Sequence, residues 1–165
     1  MLLISRKKTR CLKNEGDVAN MARMLGFDVV VEELGSNVSS VAQFVNSFDV
    51  MMGVHGAGLT NMVFLPDNAI VIQIIPFALD FPSDVFFEFP AKDMKLRYLG
   101  YKVSLNESSL LKKYPPDSEV FRDPHAILMK GGIHSYKIYF SNQEVNLDLA
   151  RFKATLLNAL ELVFS

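Results

Sequence analysis

The chain has 165 residues, half of them apolar and 21% charged, the balance of one globular domain with a real core rather than of a disordered segment. Its 17 Lys and Arg against 18 Asp and Glu leave a net charge of −1, so the basic footprint of a nucleic-acid binder is absent and any anion site must be local. Cys11 is the sole cysteine, which excludes an intrachain disulfide and a CxxC metal site.

The opening run Leu2–Ser5 is apolar in the manner of a buried parallel strand, and the early charge at Arg6 does not fit a signal peptide or a membrane span. Four cations follow in five residues: Arg6, Lys7, Lys8 and Arg10. They are either a solvated charge run or a local anion grip beyond a strand end, with Arg6, nearest the strand, as the better candidate. Val18, Met21, Ala22 and Leu25 recur at helical spacing over 15–25, and Gly26 supplies a C-terminal stop. A second strand is expected over 27–31. Ser39 or Ser40 can cap a helix through Val41, Phe44 and Val45.

A third strand is expected over 49–52, followed by the glycine cluster Gly53, Gly56 and Gly58 around His55. The run from Leu59 to Pro66 then reads as a short helix whose N-terminus points into a cleft, with His55 at its mouth. Asp67-Asn68 forms a turn, and 69–75 is the fourth and most apolar strand. Residues 77–90, aromatic and broken by Pro82 and Pro90, read as a rim of packing aromatics. Residues 96–103 form another strand, and 104–133, with Pro115, Pro116, Pro124 and Gly131-Gly132, a loop-rich excursion. His125 and His134 have no carboxylate or cysteine at ligand spacing and read as surface residues. Asn146 is expected to cap a terminal helix over 147–164 with an apolar stripe at Leu149, Phe152, Leu156, Leu160 and Val163. Asn37 and Asn106 begin N-x-S sequons.

Strands and helices in strict alternation predict one domain spanning 1–165: an α/β fold with a Rossmann-like parallel sheet and helices on both faces. Its strand–turn–helix junctions at 6–10, 32–37 and 53–58 should open on one edge. A dinucleotide-binding fold asks for G-x-G-x-x-G and an acidic residue at the end of the next strand. Here Asn61 stands in the third glycine's place, and the next strand ends near Gln73. P-loop and nucleophile-elbow motifs are absent. A cleft with Arg6, His55 and a helix start suits a diphosphate-bearing ligand, since preorganised N–H donors and an arginine stabilise a leaving nucleoside diphosphate without a metal. On this reading His55 hydrogen-bonds phosphate or sugar, and Gln73 reaches a ribose hydroxyl or base edge. The alternative for His55 is a structural residue that satisfies a turn carbonyl.

ISRKKTR at 4–10 and FVNSFDVMMGVHGAGLTNMVFLPDNAIVIQIIP at 44–76 closely resemble glycosyltransferase family 61, above all its plant xylan arabinosyl- and xylosyltransferase branch. The similarity continues through PAKDMKLRYLGYKVS at 90–104 and VNLDLARFKATLLNALELVF at 145–164. The resemblance implies the C-terminal, donor-holding half of a GT-B enzyme. It implies inverting transfer from a UDP-sugar to a xylan-like glycan acceptor in the Golgi lumen, with neither metal nor cofactor and no membrane contact from this stretch. Arg6, His55, Gly56, Ala57, Gly58, Leu59, Thr60 and Asn61 then fall on donor-binding motifs, with His55 the candidate catalytic residue; Arg10 and Gln73 complete the donor- and phosphate-binding candidates, many relatives carrying a glutamate where Gln73 stands. The general base is expected from an N-terminal half that packs against this one and that the sequence lacks. The alternative is a catalytically incomplete fragment that only binds a nucleotide or a partner, its terminal helix left with unsatisfied apolar surface.

Overall fold

The structure, a computed structural model, describes residues 1–165. Five parallel strands form one sheet: β1 (Leu2–Ile4), β2 (Val30–Glu32), β3 (Val50–Val54), β4 (Ile70–Ile75) and β5 (Arg97–Lys102), in the order β2-β1-β3-β4-β5. The central strands β3 and β4 are buried along their whole length, which is why they read as unbroken apolar runs rather than as alternating ones. Full burial of Ile70, Ile72 and Ile74 contributes roughly 2 kcal/mol per side chain.

Helices cover both faces. On one face lie α1 (Glu15–Met24) and the C-terminal helix (Leu149–Val163), whose Phe152, Leu156 and Ala159 pack with Leu3, Met52 and Ile72. On the other lie α2 (Val38–Val45), a 3₁₀ helix (Ala57–Phe64) and a helical run over Asp80–Asp93, packed on Leu2, Ile4, Met51 and Val71. No helix is long and apolar enough to cross a membrane.

Several boundaries differ from the sequence reading. The second strand spans only Val30–Glu32, although Phe27 and Val29 already serve the core and the Asp28 carbonyl accepts from the Met1 amino group at 2.7 Å. α2 is capped by Asn37, whose Oδ1 accepts from the Ser40 N–H at 3.0 Å, not by Ser39 or Ser40. The C-terminal helix is capped by Asp148 through the Arg151 N–H at 3.1 Å, not by Asn146. Its outer side leaves Leu157 and Phe164 exposed. The excursion 104–133, read as loop-rich, is mostly a chain of short helical turns that runs on to Ser141 around a small core of Leu79, Leu110, Val120, Ile138 and Tyr139. Buried Gln143 fastens it to the end of β4: its Oε1 accepts from the Phe77 N–H at 2.7 Å, and its Nε2 donates to the Phe77 carbonyl at 3.1 Å.

Candidate functional site

In an open parallel sheet, ligands sit beyond the carboxyl ends of the strands, where neighbouring connections leave in opposite directions. Here that point lies between β1 and β3, because β1 is followed by a return to β2 on one side while β3 leads to β4 on the other. The segments leaving β1 and β3 at this point are Ser5–Arg10 and His55–Gly58. A cleft of about 460 Å³ opens beside them, lined by Arg6, Lys7, Glu33, Leu34, Gly58 and Asn61 among others. The three junctions read from the sequence therefore do share one edge.

Gly56 is the pivot. Its φ of +146° and ψ of −177° belong to a region that only glycine occupies without strain. A Cβ there would lie 2.1 Å from Arg6 Nη1 and 2.8 Å from Arg10 Nη2, so both guanidiniums rest against the bare α-carbon. Gly58 has a different reason: a Cβ would meet Ile4 Cγ2 at 2.7 Å, so the 3₁₀ helix packs against β1 only because the side chain is missing.

Each arginine is held from behind. Arg6 Nε donates to the Thr9 carbonyl and Nη2 to Thr9 Oγ1, both at 2.9 Å. Arg10 Nη1 donates to the Phe140 carbonyl at 2.6 Å, its guanidinium lies 5.9 Å from the Phe140 ring centroid, and its Nε is buried without a partner. The nitrogens left over, Arg6 Nη1 and Arg10 Nη2, are the ones at Gly56. Neither arginine pairs with a carboxylate; the acid in the cleft, Glu33, pairs with exposed Lys7 at 3.3 Å. Burial pulls both guanidinium pKa values down, and Arg6 pulls Arg10 further, yet guanidinium stays protonated at any physiological pH. Two cations facing one point, with no carboxylate between them, have the geometry to hold an anion.

The first intrahelical bond of the 3₁₀ helix runs from the Leu59 N–H to the Gly56 carbonyl at 2.9 Å, so the Ala57 and Gly58 N–H groups precede the ladder and add donors at the same edge. The polar side chains further along bond back to the first turn of the helix. Thr60 Oγ1 donates to the Ala57 carbonyl (2.6 Å) and Asn61 Nδ2 to the Gly58 carbonyl (2.9 Å), while Leu59 is fully buried in the core. Leu59 thus anchors the turn in the core, while exposed Thr60 and half-buried Asn61 brace its backbone from outside.

His55 and Gln73 lie deeper than the sequence reading put them. His55 is 5% exposed, behind the mouth of the cleft rather than at it, with Phe87 edge-on at 5.0 Å and Phe140 at 6.3 Å. Burial, then the charges of Arg10 and Arg6, lower its pKa to about 4, so the ring is neutral at pH 7. Its Nδ1 lies 2.9 Å from Gln73 Nε2 and 3.0 Å from Ser83 Oγ. Gln73 is fully buried, donates to Ser83 Oγ at 3.0 Å and accepts from the Tyr98 hydroxyl at 2.5 Å. With both ends of its amide engaged, Gln73 cannot also reach a ribose hydroxyl or a base edge, and that expectation gives way to a role through His55. Phe87 belongs to the 77–90 run read as packing aromatics, and it does pack on His55. Ser83, Tyr98 and Phe140 escaped the sequence reading; for Tyr98 there was a signal, since it lies in the next strand, two residues before a glycine that leaves room beside Gln73.

The sequence matches a family model described as Glycosyltransferase 61 over residues 1–72. It is similar to an alpha-1,3-arabinosyltransferase of Oryza sativa subsp. japonica, 45% identical over 98% of this chain and 28% of the relative. A beta-1,2-xylosyltransferase of the same organism is 39% identical over 99% of this chain and 35% of the relative. A xylan glycosyltransferase of Arabidopsis thaliana is 38% identical over 96% and 33% respectively. The chain thus spans about a third of the length of these relatives.

Proposed function

Since the chain belongs to glycosyltransferase family 61, we propose that it forms the donor-binding part of an enzyme that transfers a pentosyl group from a UDP-sugar to a xylan-like acceptor. The observation that carries this reading is the convergence of Arg6 and Arg10 on Gly56, with no carboxylate between them, at the switch point of the sheet. In glycosyl transfer the bond between the anomeric carbon and the β-phosphate oxygen breaks while the acceptor oxygen bonds to that carbon from the opposite side, inverting it. UDP leaves with added negative charge. Arg6 Nη1, Arg10 Nη2 and the Ala57 and Gly58 N–H groups meet that charge in a partly water-excluded setting, where preorganised donors do most for a transition state. They supply the counter-charge that a divalent metal provides elsewhere, so the transfer proceeds without one. The acceptor proton goes to a base from the part of the enzyme outside these residues, and the working compartment is the Golgi lumen.

Calorimetric titration of UDP into the chain tests the reading. Arg6→Ala loses a charge-assisted hydrogen bond and should bind UDP roughly tenfold or more weakly. Equal affinity for wild type and Arg6→Ala refutes the site. A second reading, binding of the nucleotide without transfer by this chain alone, is favoured by its covering about a third of the relatives' length. UDP binding with no sugar released from UDP-arabinose or UDP-xylose is its signature.

A further inference from the structure

The four side chains behind the cleft fix a proton. Gln73 sits on β4 opposite Gly53 of β3 and Gly100 of β5, so the two neighbouring strands leave space for its amide on that face of the sheet. Gln73 Oε1 faces Tyr98 and accepts from its hydroxyl, while the NH₂ end faces His55 and Ser83. An amide nitrogen donates and never accepts. His55 Nδ1, 2.9 Å away, must therefore be the bare nitrogen, and in a neutral imidazole the proton then resides on Nε2. The Ser83 hydroxyl, 3.0 Å from the same Nδ1, presses the same way when it donates. Nε2 makes no hydrogen bond within the chain and is not fully sealed from solvent, although the ring as a whole is 5% exposed.

We propose that Gln73, Ser83 and Tyr98 are positioning residues that lock His55 as the Nε2–H tautomer, so that a neutral ring gives one hydrogen bond to the diphosphate oxygens gathered by Arg6 and Arg10. The choice of acceptor rests on the donor-binding reading above; the tautomer does not. The charged groups around the ring are Arg6 and Arg10 from the loop after β1, with no carboxylate in contact, and this keeps the lock in place near neutral pH.

Long-range proton–nitrogen correlation on the ¹⁵N-histidine-labelled chain tests the lock, and only three histidines need assignment. His55 should show a pyridine-like Nδ1 and a protonated Nε2 throughout pH 5 to 8, and UDP should shift the Nε2 resonance. A protonated Nδ1 overturns the proposal. In Gln73→Met/Ser83→Ala the lock is removed while the shape is kept, so both tautomers should appear and UDP should bind several-fold more weakly, with a cooperative melt showing that the variant folds. Mixed tautomers with unchanged UDP affinity overturn the functional half. In Gln73→Glu a carboxylate faces Nδ1, and His55 should take up a second proton within the same pH range; a ring that stays neutral there overturns the lock. If wild type binds no UDP, the donor-binding reading and the functional half fall together, while the nitrogen shifts judge the tautomer by themselves.

Discussion

Replacing Gly56 with alanine strikes the fold and the proposed site by separable routes. At φ +146° and ψ −177°, a side-chain-bearing residue incurs about 1–3 kcal/mol of backbone strain. The added methyl would also lie 2.1 Å from Arg6 Nη1 and 2.9 Å from Arg6 Cζ. A guanidinium is the flexible end of a long side chain and can swing away at little steric cost. Doing so breaks its two 2.9 Å bonds to Thr9 and takes the charge off the cleft. Urea unfolding should therefore show Gly56→Ala less stable by about 1–3 kcal/mol. Titration on the folded variant should show UDP affinity reduced by at least roughly tenfold, as for a lost charge-assisted hydrogen bond. A variant within about 0.5 kcal/mol of wild type that binds UDP equally well would refute the geometry assigned to this turn.

Three other outcomes follow from the same structure. His55 has a folded-state pKa of about 4 against an ordinary 6.5, so its stabilisation is complete above pH 6.5 and is lost as pH falls toward 4. The loss is on the order of 3 kcal/mol; His55→Gln should lack this part of the acid dependence in urea titrations at pH 7 and 4.5, and identical pH slopes would contradict the assignment. Arg10 buries a charge beside another cation and leaves Nε unpartnered, so Arg10→Met should be no less stable without ligand yet bind UDP at least roughly tenfold more weakly; a less stable variant with intact binding would reverse its role. Burial pushes the Glu107 carboxyl up, but hydrogen bonds from Tyr101 and the Ser104 and Asp148 N–H groups outweigh it and leave the pKa below the ordinary value. Since Glu107 also pairs with half-exposed Arg151, Glu107→Gln should cost about 2 kcal/mol at pH 7, and that difference should shrink as the carboxyl protonates below its ordinary range; an unchanged melting temperature would show that this clasp between β5 and the C-terminal helix is idle.

The sheet was legible because its central strands are buried on both faces: Ile70–Ile75 carries one polar residue in six, and its short length and β-branched residues mark it as a strand. The shared edge of Arg6, Arg10 and the glycine turn followed from strand–helix alternation and the handedness of crossovers. What stayed hidden depends on register and on contacts distant in sequence. Nothing local in Gln73 shows that it faces Gly53 and Gly100 and thereby points at His55 rather than at a ligand. Phe140, whose carbonyl holds Arg10, is 130 residues away along the chain and lies in a segment with little periodicity. The buried position of His55 follows from Phe87 and Phe140 closing over it, two aromatic residues that composition marks only as apolar. The cap of the C-terminal helix fell to Asp148 because Asn14 binds both polar groups of the Leu147 backbone, which holds that residue outside the helix.

The most direct test of the donor cradle is an amide and guanidinium chemical-shift map of the ¹⁵N-labelled chain during UDP addition. The largest changes should fall on the Gly56, Ala57 and Gly58 amides and the Arg6 and Arg10 Nε groups, and should vanish in Arg6→Ala. Changes centred on the opposite end of the sheet, around Asp49, Asp67 and Arg97, or none at all, would contradict it.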